Sequence, residues 1–179
     1  MAITITEALA EIKTIGKRLS KKREAIFQYI ARQDGIRDPL ERDGGSVEFI
    51  KRERQAIADL EARVVHLRRG IQKASDQTRV EINGTARTMS EWLTWRRDVA
   101  PGQQQFLTDL RGRLHAVREQ ARKTGVGVVA PGGTQNQLTD YMVNINEHNL
   151  AKETEDLEDV LGQLDGQLSL RNATVMLPE

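Results

Sequence analysis

The sequence contains no cysteine, few aromatic residues and no long apolar run. Without cysteine, the 179-residue chain has no disulfide, no thiol nucleophile and no cysteine-ligated zinc or iron–sulfur site. Aromatic residues make up 4 % of the chain, which suits narrow helix–helix contacts better than a thick globular core. No stretch reaches the roughly 18 apolar residues that a membrane-spanning helix needs. These absences predict a soluble protein built mainly from helices.

The positive and negative charges nearly cancel. The chain has 27 basic and 26 acidic residues and a formal net charge of +1. Such a small net charge provides no long-range attraction to nucleic acid or to an anionic membrane. The first residues lack the basic region and the continuous apolar region of a signal peptide. We therefore expect a protein of the cytoplasm, or of an assembly that forms there.

The strongest pattern is a heptad repeat between residues 50 and 74. A period of 3.5 residues over more than three heptads is typical of a helix that packs along another helix. Only Glu53 interrupts the repeat. The pattern predicts a helix over residues 46–75 with Ser46 as its N-cap. The apolar seam positions are Ile50, Ile57, Leu60, Val64, Leu67, Ile71 and Ala74.

A weaker repeat predicts a first helix over residues 4–33, in which Gly16 and Arg23 interrupt the apolar positions. Glycine, aspartate and proline in the polar segment that follows favour turns, so the two helices can form an antiparallel hairpin. The opposite charges of Arg23 and Glu53 predict an ion pair across this hairpin that fixes its register. The seam positions of the first helix are Leu9, Ile12, Leu19, Ile26 and Ile30.

A β-ribbon is predicted over residues 78–88, followed by a third helix over residues 89–123. Alternating β-branched residues flank Asn83 and Gly84, a pair typical of a type I′ turn because both residues must adopt positive φ. Thr88 and Glu91 fit a capping box that starts the helix. Pro101 removes a backbone donor and therefore predicts a kink or a break in this helix.

The last third of the chain is predicted to contain an apolar loop or arm and an extended segment over residues 124–146. A final helix over residues 147–170 and an extended tail over residues 171–179 follow. The arm and the tail are candidates for contacts with other molecules. Their candidate contact residues are Val126, Val128, Val129, Val175, Met176 and Leu177.

No catalytic or metal-binding pattern is visible. His66, His115 and His148 lie in three separate segments and lack the spacing of metal ligands. No serine lies in a nucleophile elbow. The acidic run at residues 153–159 lacks the spacing of a calcium loop and is interpreted as a solvated helix face. The sequence predicts no enzymatic activity, no cofactor and no metal.

Trp92 and Trp95 leave two interpretations open. With Arg96 and Arg97 beside them, they form either a stacking platform for single-stranded nucleic acid or a plug between the ribbon and the helices. A nucleic-acid platform usually belongs to a basic domain, and this chain has almost no net charge. The plug is therefore favoured, and a nucleic-acid partner is not expected.

Several segments in order resemble the septicolysin-like family of short, functionally uncharacterised bacterial and phage proteins. They are residues 7–12, residues 78–98, residues 140–150, and the C-terminal set Leu164, Asp165, Gln167, Asn172 and Thr174. The chain departs from the family at Pro101-Gly102 and at Ala173, where the family tends to have an aromatic residue. The resemblance implies a mostly helical fold with a small β element, and it brings no catalytic residues.

The predicted fold is mainly α: an antiparallel hairpin of long helices in a coiled-coil bundle, with a small antiparallel β element. It is predicted to form one elongated domain over residues 1–179. Narrow amphipathic helices bury limited area by themselves, so we expect neighbouring subunits to complete the core.

The predicted function is structural and non-enzymatic. We expect an oligomeric component of an assembly, specifically a phage virion protein associated with the capsid or the tail and assembled in the bacterial cytoplasm. Its expected partners are other copies of the chain and other structural proteins, without a membrane. One alternative is a nucleic-acid-binding or regulatory coiled-coil module, and a second is a membrane-active cytolysin-like protein.

Overall fold

A computed structural model describes residues 2–133 and 140–178 of the chain. The fold is mainly α with a small antiparallel β-hairpin, which confirms the predicted fold class. A 3₁₀ turn, Glu41–Asp43, and a π-helical segment, Trp95–Val99, lie between regular elements. The elements are α1 (Ile5–Gln28), α2 (Gly45–Gln77), β1 (Arg79–Ile82), β2 (Thr85–Thr88), α3 (Met89–Thr94), α4 (Ala100–Thr124), β3 (Val128–Val129), β4 (Tyr141–Met142) and α5 (Glu147–Thr174).

The contacts within the chain define two compact units. Unit 1 comprises Met1–Thr78 and Ser169–Glu179, and unit 2 comprises Arg79–Leu168. Helix α5 begins in unit 2, and its last residues belong to unit 1. The single elongated domain expected from the sequence stays a prediction.

In unit 1, α1 and α2 run antiparallel along a narrow apolar seam. Tyr29 near the end of α1 meets Phe49 near the start of α2, with ring centroids 5.2 Å apart. Glu11 near the start of α1 pairs with Arg63 further along α2 at 2.8 Å. The end of α1 therefore lies beside the start of α2, and the start of α1 lies beside a later part of α2, as in an antiparallel hairpin. Its buried core is Ala8, Ile15 and Leu67, with Ile3, Ile12, Leu19, Leu60, Val64, Ile71 and Leu177 packed around it.

The seam of α1 differs from the predicted one. Leu9 is 39 % exposed and Ile30 is 70 % exposed, so neither is a seam residue. A stripe drawn through large apolar residues alone combines positions from two neighbouring stripes of the helix. The true seam residues are three and four positions apart in alternation, and they include the small Ala8 and the charged Lys22. The observed seam is Ile5, Ala8, Ile12, Ile15, Leu19, Lys22 and Ile26.

The seam of α2 lies at the predicted heptad positions. Leu67 is buried, and Leu60, Val64 and Ile71 pack on the same core. Ile50 and Ile57 are half-buried at equivalent positions of the repeat. The first helix therefore meets α2 along the heptad stripe that the sequence displays most clearly.

One ion pair lies within the seam. The Glu53 carboxylate pairs with the Lys22 ammonium at 2.8 Å, and the two side chains are 16 % and 30 % exposed. The predicted Arg23–Glu53 pair is wrong. Each residue turns a helix by about 100°, so Arg23 lies beside the seam and pairs with Glu61 instead.

Helix α1 ends earlier than predicted, at Gln28 rather than near residue 33. Tyr29 leaves the helical conformation with φ −115° and ψ 13°, and its ring packs edge-on against Phe49. The two rings pack together at the tip of the hairpin, where the chain leaves the helix. Pattern alone did not indicate it, because no glycine or proline marks this position.

Two helices begin with the same capping device. Thr4 and Glu7 cap α1, and Thr88 and Glu91 cap α3 as predicted. In each box the glutamate accepts a hydrogen bond from the threonine backbone N–H at 2.7 Å. These bonds lower the pKa of Glu7 and of Glu91 below the usual value. The charged carboxylates also suit the positive end of each helix.

The predicted turn between β1 and β2 is confirmed. Asn83 has φ 47° and Gly84 has φ 75°, and the strands pair antiparallel around them. The helical interruption lies just before Pro101 rather than at it: the backbone is π-helical at Trp95–Val99, and the Ala100 N–H donates to the Trp95 carbonyl. Because Pro101 has no N–H, the regular ladder cannot continue through this turn.

In unit 2, α4 and α5 also run antiparallel. Arg118 of α4 pairs with Glu147 at the start of α5, and Arg96, before α4, pairs with Asp165 near the other end at 2.8 Å. The side chains that α4 and α5 bury repeat at heptad spacing. They are Ala100, Leu107, Leu114 and Ala121 on α4, and Leu150, Leu164 and Leu168 on α5.

The ends of the chain's last segments differ from prediction. Helix α5 continues to Thr174, four residues beyond the expected end, because no helix breaker occurs before Pro178. The expected arm pairs with the segment after it: β3 and β4 form a two-residue parallel pair, with the Tyr141 N–H donating to Gly127 at 2.9 Å. The part of the predicted arm at residues 134–139 lies outside the described residues.

Glu53→Ala is expected to destabilise unit 1, because it leaves the Lys22 ammonium at a seam position without its partner. The free energy of unfolding should fall by about 1–3 kcal/mol, less than for a fully buried pair. Urea denaturation followed by circular dichroism measures the loss. Replacing both partners, with Lys22→Met and Glu53→Leu, should restore wild-type stability. Equal losses in the single and double variants would contradict the seam assignment.

Candidate interaction surfaces

Trp92 is a packing residue of unit 2. Its side chain is 3 % exposed, and its Nε1–H donates to the Val80 carbonyl at 3.0 Å. Trp95 meets Trp92 edge-on with ring centroids 5.5 Å apart. The Arg87 guanidinium lies 4.8 Å from the centroid of the Trp92 ring. The plug interpretation describes this arrangement. Base stacking on Trp92 would require the ring to leave its enclosure, so the platform interpretation is wrong for this residue.

The C-terminal tail packs on unit 1. The Ile5 N–H donates to the Val175 carbonyl at 3.1 Å, and the Leu177 N–H donates to the Ile3 carbonyl at 2.8 Å. Leu177 packs on the α1–α2 core and so closely over Gly70 that a Cβ there would lie 3.2 Å from its Cδ1. Leu177, predicted as a partner contact, therefore contacts its own chain.

The other predicted contact residues have mixed environments. Met176 is 55 % exposed, and Val175 is half-buried. Val126, Val128 and Val129 are half-buried at the small parallel pair. None of these valines presents a fully open apolar side chain, so the arm is a weaker candidate surface than the sequence suggested.

Asp38 anchors the start of α2. Its carboxylate accepts hydrogen bonds from the Ser46 backbone at 2.8 Å, from the Ser46 hydroxyl at 2.7 Å and from the Leu40 backbone at 2.9 Å. Bonds from the Ser46 hydroxyl, then from the two backbone N–H groups, lower the pKa of Asp38 to about 2. The prediction of Ser46 as the N-cap is wrong: Gly44 occupies that position with φ 93°, and Asp38 supplies the capping oxygen.

The two sides of the α1–α2 hairpin can be told apart by helical geometry. In an antiparallel pair, residues one position after the seam project from one side of both helices, and residues one position before it project from the other. The Arg23–Glu61 pair joins two positions of the first kind, and Glu11–Arg63 joins two of the second. The tail packs over Gly70, on the side of Glu11 and Arg63.

The side of the hairpin that carries the residues one position after the seam is open to solvent. It exposes four apolar side chains, of which Phe27, Val47 and Val65 are 65 %, 77 % and 58 % exposed. Four basic side chains, all exposed, lie in the same rows. We name this set the basic face: Leu9, Phe27, Val47, Val65, Lys13, Lys51, Arg54 and Arg68.

A second open face lies on unit 2. Val99 and Phe106 each precede a buried residue of the α4 repeat and are 43 % and 61 % exposed. By the same geometry, exposed carboxylates that precede half-buried residues of α4 and α5 project from this side. Arg113 precedes the buried Leu114 and projects from this side as well. We name this set, which contains three carboxylates and one guanidinium, the acidic face: Val99, Phe106, Asp109, Arg113, Glu153 and Asp156.

The two units carry opposite net charges. Unit 1 contains 17 basic and 13 acidic residues, a net charge of +4, whereas unit 2 contains 10 basic and 13 acidic residues, a net charge of −3. The near-neutral sum of the whole chain concealed this difference. The basic face and the acidic face have the sign of the unit on which each lies.

Within residues 2–133 and 140–178, no group of three or more histidine, aspartate or glutamate side chains is placed to hold a metal ion. No helix in the same part of the chain has the length and apolarity needed to cross a membrane.

The fold defines a protein of two antiparallel helical pairs with a β-ribbon. No family model matches the chain, and no curated protein matches it. A crystal structure of a functionally unknown conserved protein from Corynebacterium diphtheriae is similar, with a TM-score of 0.56 and 17 % identity over 99 % of this chain and 100 % of that chain. At this identity the likeness shows the fold alone. The resemblance to the septicolysin-like family stays a prediction.

Leu177→Ala is expected to lower the free energy of unfolding by about 1–3 kcal/mol, because it removes a side chain that packs on the α1–α2 core. Met176→Ala is the matched control, since that side chain is mostly exposed, and it should change stability by less than about 0.5 kcal/mol. Urea denaturation of both variants checks this, and equal effects would contradict the packed tail.

Asp38→Ala is expected to lower the melting temperature at pH 7, because α2 loses its capping oxygen. The pKa of Asp38 is lower in the folded chain, so its contribution is present above the ordinary value of 3.8 and disappears as the pH falls toward about 2. The difference in melting temperature between wild type and variant should shrink over this range. Asp34→Ala, in the same loop, serves as control. A difference that is independent of pH would contradict the assigned cap.

Proposed function

We propose that this chain is a non-enzymatic structural protein that acts as a component of an oligomeric assembly. The observation that supports the proposal best is the row of open apolar side chains beside the α1–α2 seam. Phe27, Val47 and Val65 are each more than half exposed on one side of a long helical hairpin. Phe27 and Val47 lie toward the tip of the hairpin and Val65 lies further along α2, so a partner that covers all three must extend along the hairpin, as another long helix does.

The energetics of the fold support association. The largest of the fully buried side chains are aliphatic or methionine: Ile5, Val80, Leu67, Met89 and Leu164. Burying one further large apolar side chain contributes about 1.5–3 kcal/mol before the cost of association. A second subunit that covers the open apolar residues would therefore add substantially to the free energy that holds these narrow helical pairs together.

A phage virion, at its capsid or tail, is the specific assembly that we propose. This part of the proposal depends on the resemblance to phage-borne proteins. In this proposal the virion is assembled in the bacterial cytoplasm, and the partners of the chain are other copies of itself and other structural proteins. Mass spectrometry of purified particles tests it: the chain should be present in stoichiometric amount, and its absence would restrict the proposal to a non-viral assembly.

A nucleic-acid-binding module is the second candidate, and the basic face favours it more than the tryptophans do. Lys13, Lys51, Arg54 and Arg68 form a basic row to which phosphates could bind. The apolar residues between them favour a protein surface instead. Affinity for a DNA or RNA duplex that falls steeply with salt would support this candidate over the structural one.

The proposed association is tested by sedimentation equilibrium over a wide range of protein concentration. We expect self-association that weakens in the double variant with Phe27→Ser and Val65→Ser, because the variant removes two open apolar side chains. Ile36→Ser is the control, since Ile36 is 54 % exposed in the loop between α1 and α2 and lies outside both the basic face and the acidic face. A wild-type chain that stays monomeric at every concentration would overturn the proposal.

A further inference from the structure

We propose that the basic face of one copy binds the acidic face of a second copy. This inference depends on the proposed function and specifies the contact through which the assembly forms. The two faces belong to different units of the same chain, each carries exposed apolar residues, and their charges are opposite.

Charge excludes the symmetric pairings of these faces. Two basic faces would bring Lys13, Arg54 and Arg68 of one copy against the same residues of another. Lys51 has Glu48 beside it at 3.9 Å, and Arg23 is paired with Glu61. The excess positive charge on this side of the hairpin therefore comes mainly from Lys13, Arg54 and Arg68. Two acidic faces would repel in the same way, because Asp109, Glu153 and Asp156 outnumber Arg113. Only the pairing of unlike faces places opposite charges together.

The apolar residues of the two faces also suit each other. Phe27, Val47 and Val65 form rows along one hairpin, and Val99 and Phe106 lie along the other. Stable protein interfaces commonly have an apolar centre, with aromatic residues favoured, and a charged rim. Glu153 and Asp156 lie on α5 beside the apolar pair, where they supply the negative part of such a rim.

The pairing of unlike faces determines the kind of assembly. A contact between two different surfaces of identical chains is heterologous, so a pair of copies still has one free basic face and one free acidic face. Such a contact repeats until a ring closes, or it continues as a filament. The proposed interface therefore produces extended assemblies rather than isolated dimers.

The experiment uses full-length chains in which one face at a time is neutralised. The first variant carries Arg54→Gln and Arg68→Gln on the basic face, and the second carries Glu153→Gln and Asp156→Gln on the acidic face. Each should weaken self-association by at least about tenfold in sedimentation equilibrium. Raising the salt concentration should weaken wild-type association in the same direction.

Mixing the two variants is the decisive step. The second variant keeps its basic face and the first keeps its acidic face, so an equimolar mixture should form 1:1 heterodimers that grow no further. The control carries Arg69→Gln and Lys73→Gln, which remove equal charge from α2 outside the basic face. It should associate like the wild type.

Several outcomes would overturn the inference. Equal weakening in the control would show a general charge effect, and a mixture that stays monomeric would exclude the pairing of unlike faces. Variants that associate as the wild type does would place the contact elsewhere and leave the proposed oligomeric function standing. A wild-type chain that is monomeric would overturn both, so the two failures are distinguishable. Circular dichroism of each variant establishes that it is folded.

Discussion

The seam between α1 and α2 determines which residues of unit 1 face inward and which face outward. A rotation of one residue, about 100°, moves a side chain from the core to the side of the hairpin. Lys22 therefore pairs with Glu53 within the seam, whereas Arg23 reaches Glu61 outside it. The same rotation makes Leu9 a surface residue. The open basic face is thus a direct consequence of the seam.

Sequence reasoning succeeded where the signal is local. The Asn83-Gly84 turn and the Thr88–Glu91 cap depend on residues next to each other in the chain, and the structure contains both. Reasoning failed where partners are distant. Asp38 caps α2 from eight residues before Ser46, and Tyr29, where α1 ends, packs on Phe49 of α2. The spacing of apolar residues along a helix reveals neither of these contacts.

The candidate surfaces could be predicted only in part. Apolar residues in the tail and the paired tryptophans suggest contacts with partners, yet Leu177 and Trp92 pack within their own units. Leu9 has a larger apolar side chain than its neighbour Ala8, so the sequence predicts Leu9 as the seam residue although Ala8 is the buried one. The opposite charges of the two units were undetectable from the whole-chain sum, because assigning charges to units requires the fold. The proposed pairing of unlike faces accounts for the open apolar side chains and the opposite charges together.

The absence of native cysteine permits unique spin labels, which give the most direct test of the central claim. One preparation carries Val47→Cys on the basic face, and another carries Phe106→Cys on the acidic face. The account predicts dipolar coupling between labels in a mixture of the two preparations, and much weaker coupling in a preparation labelled at residue 47 alone. Strong coupling between copies labelled at residue 47, with none in the mixture, would contradict it.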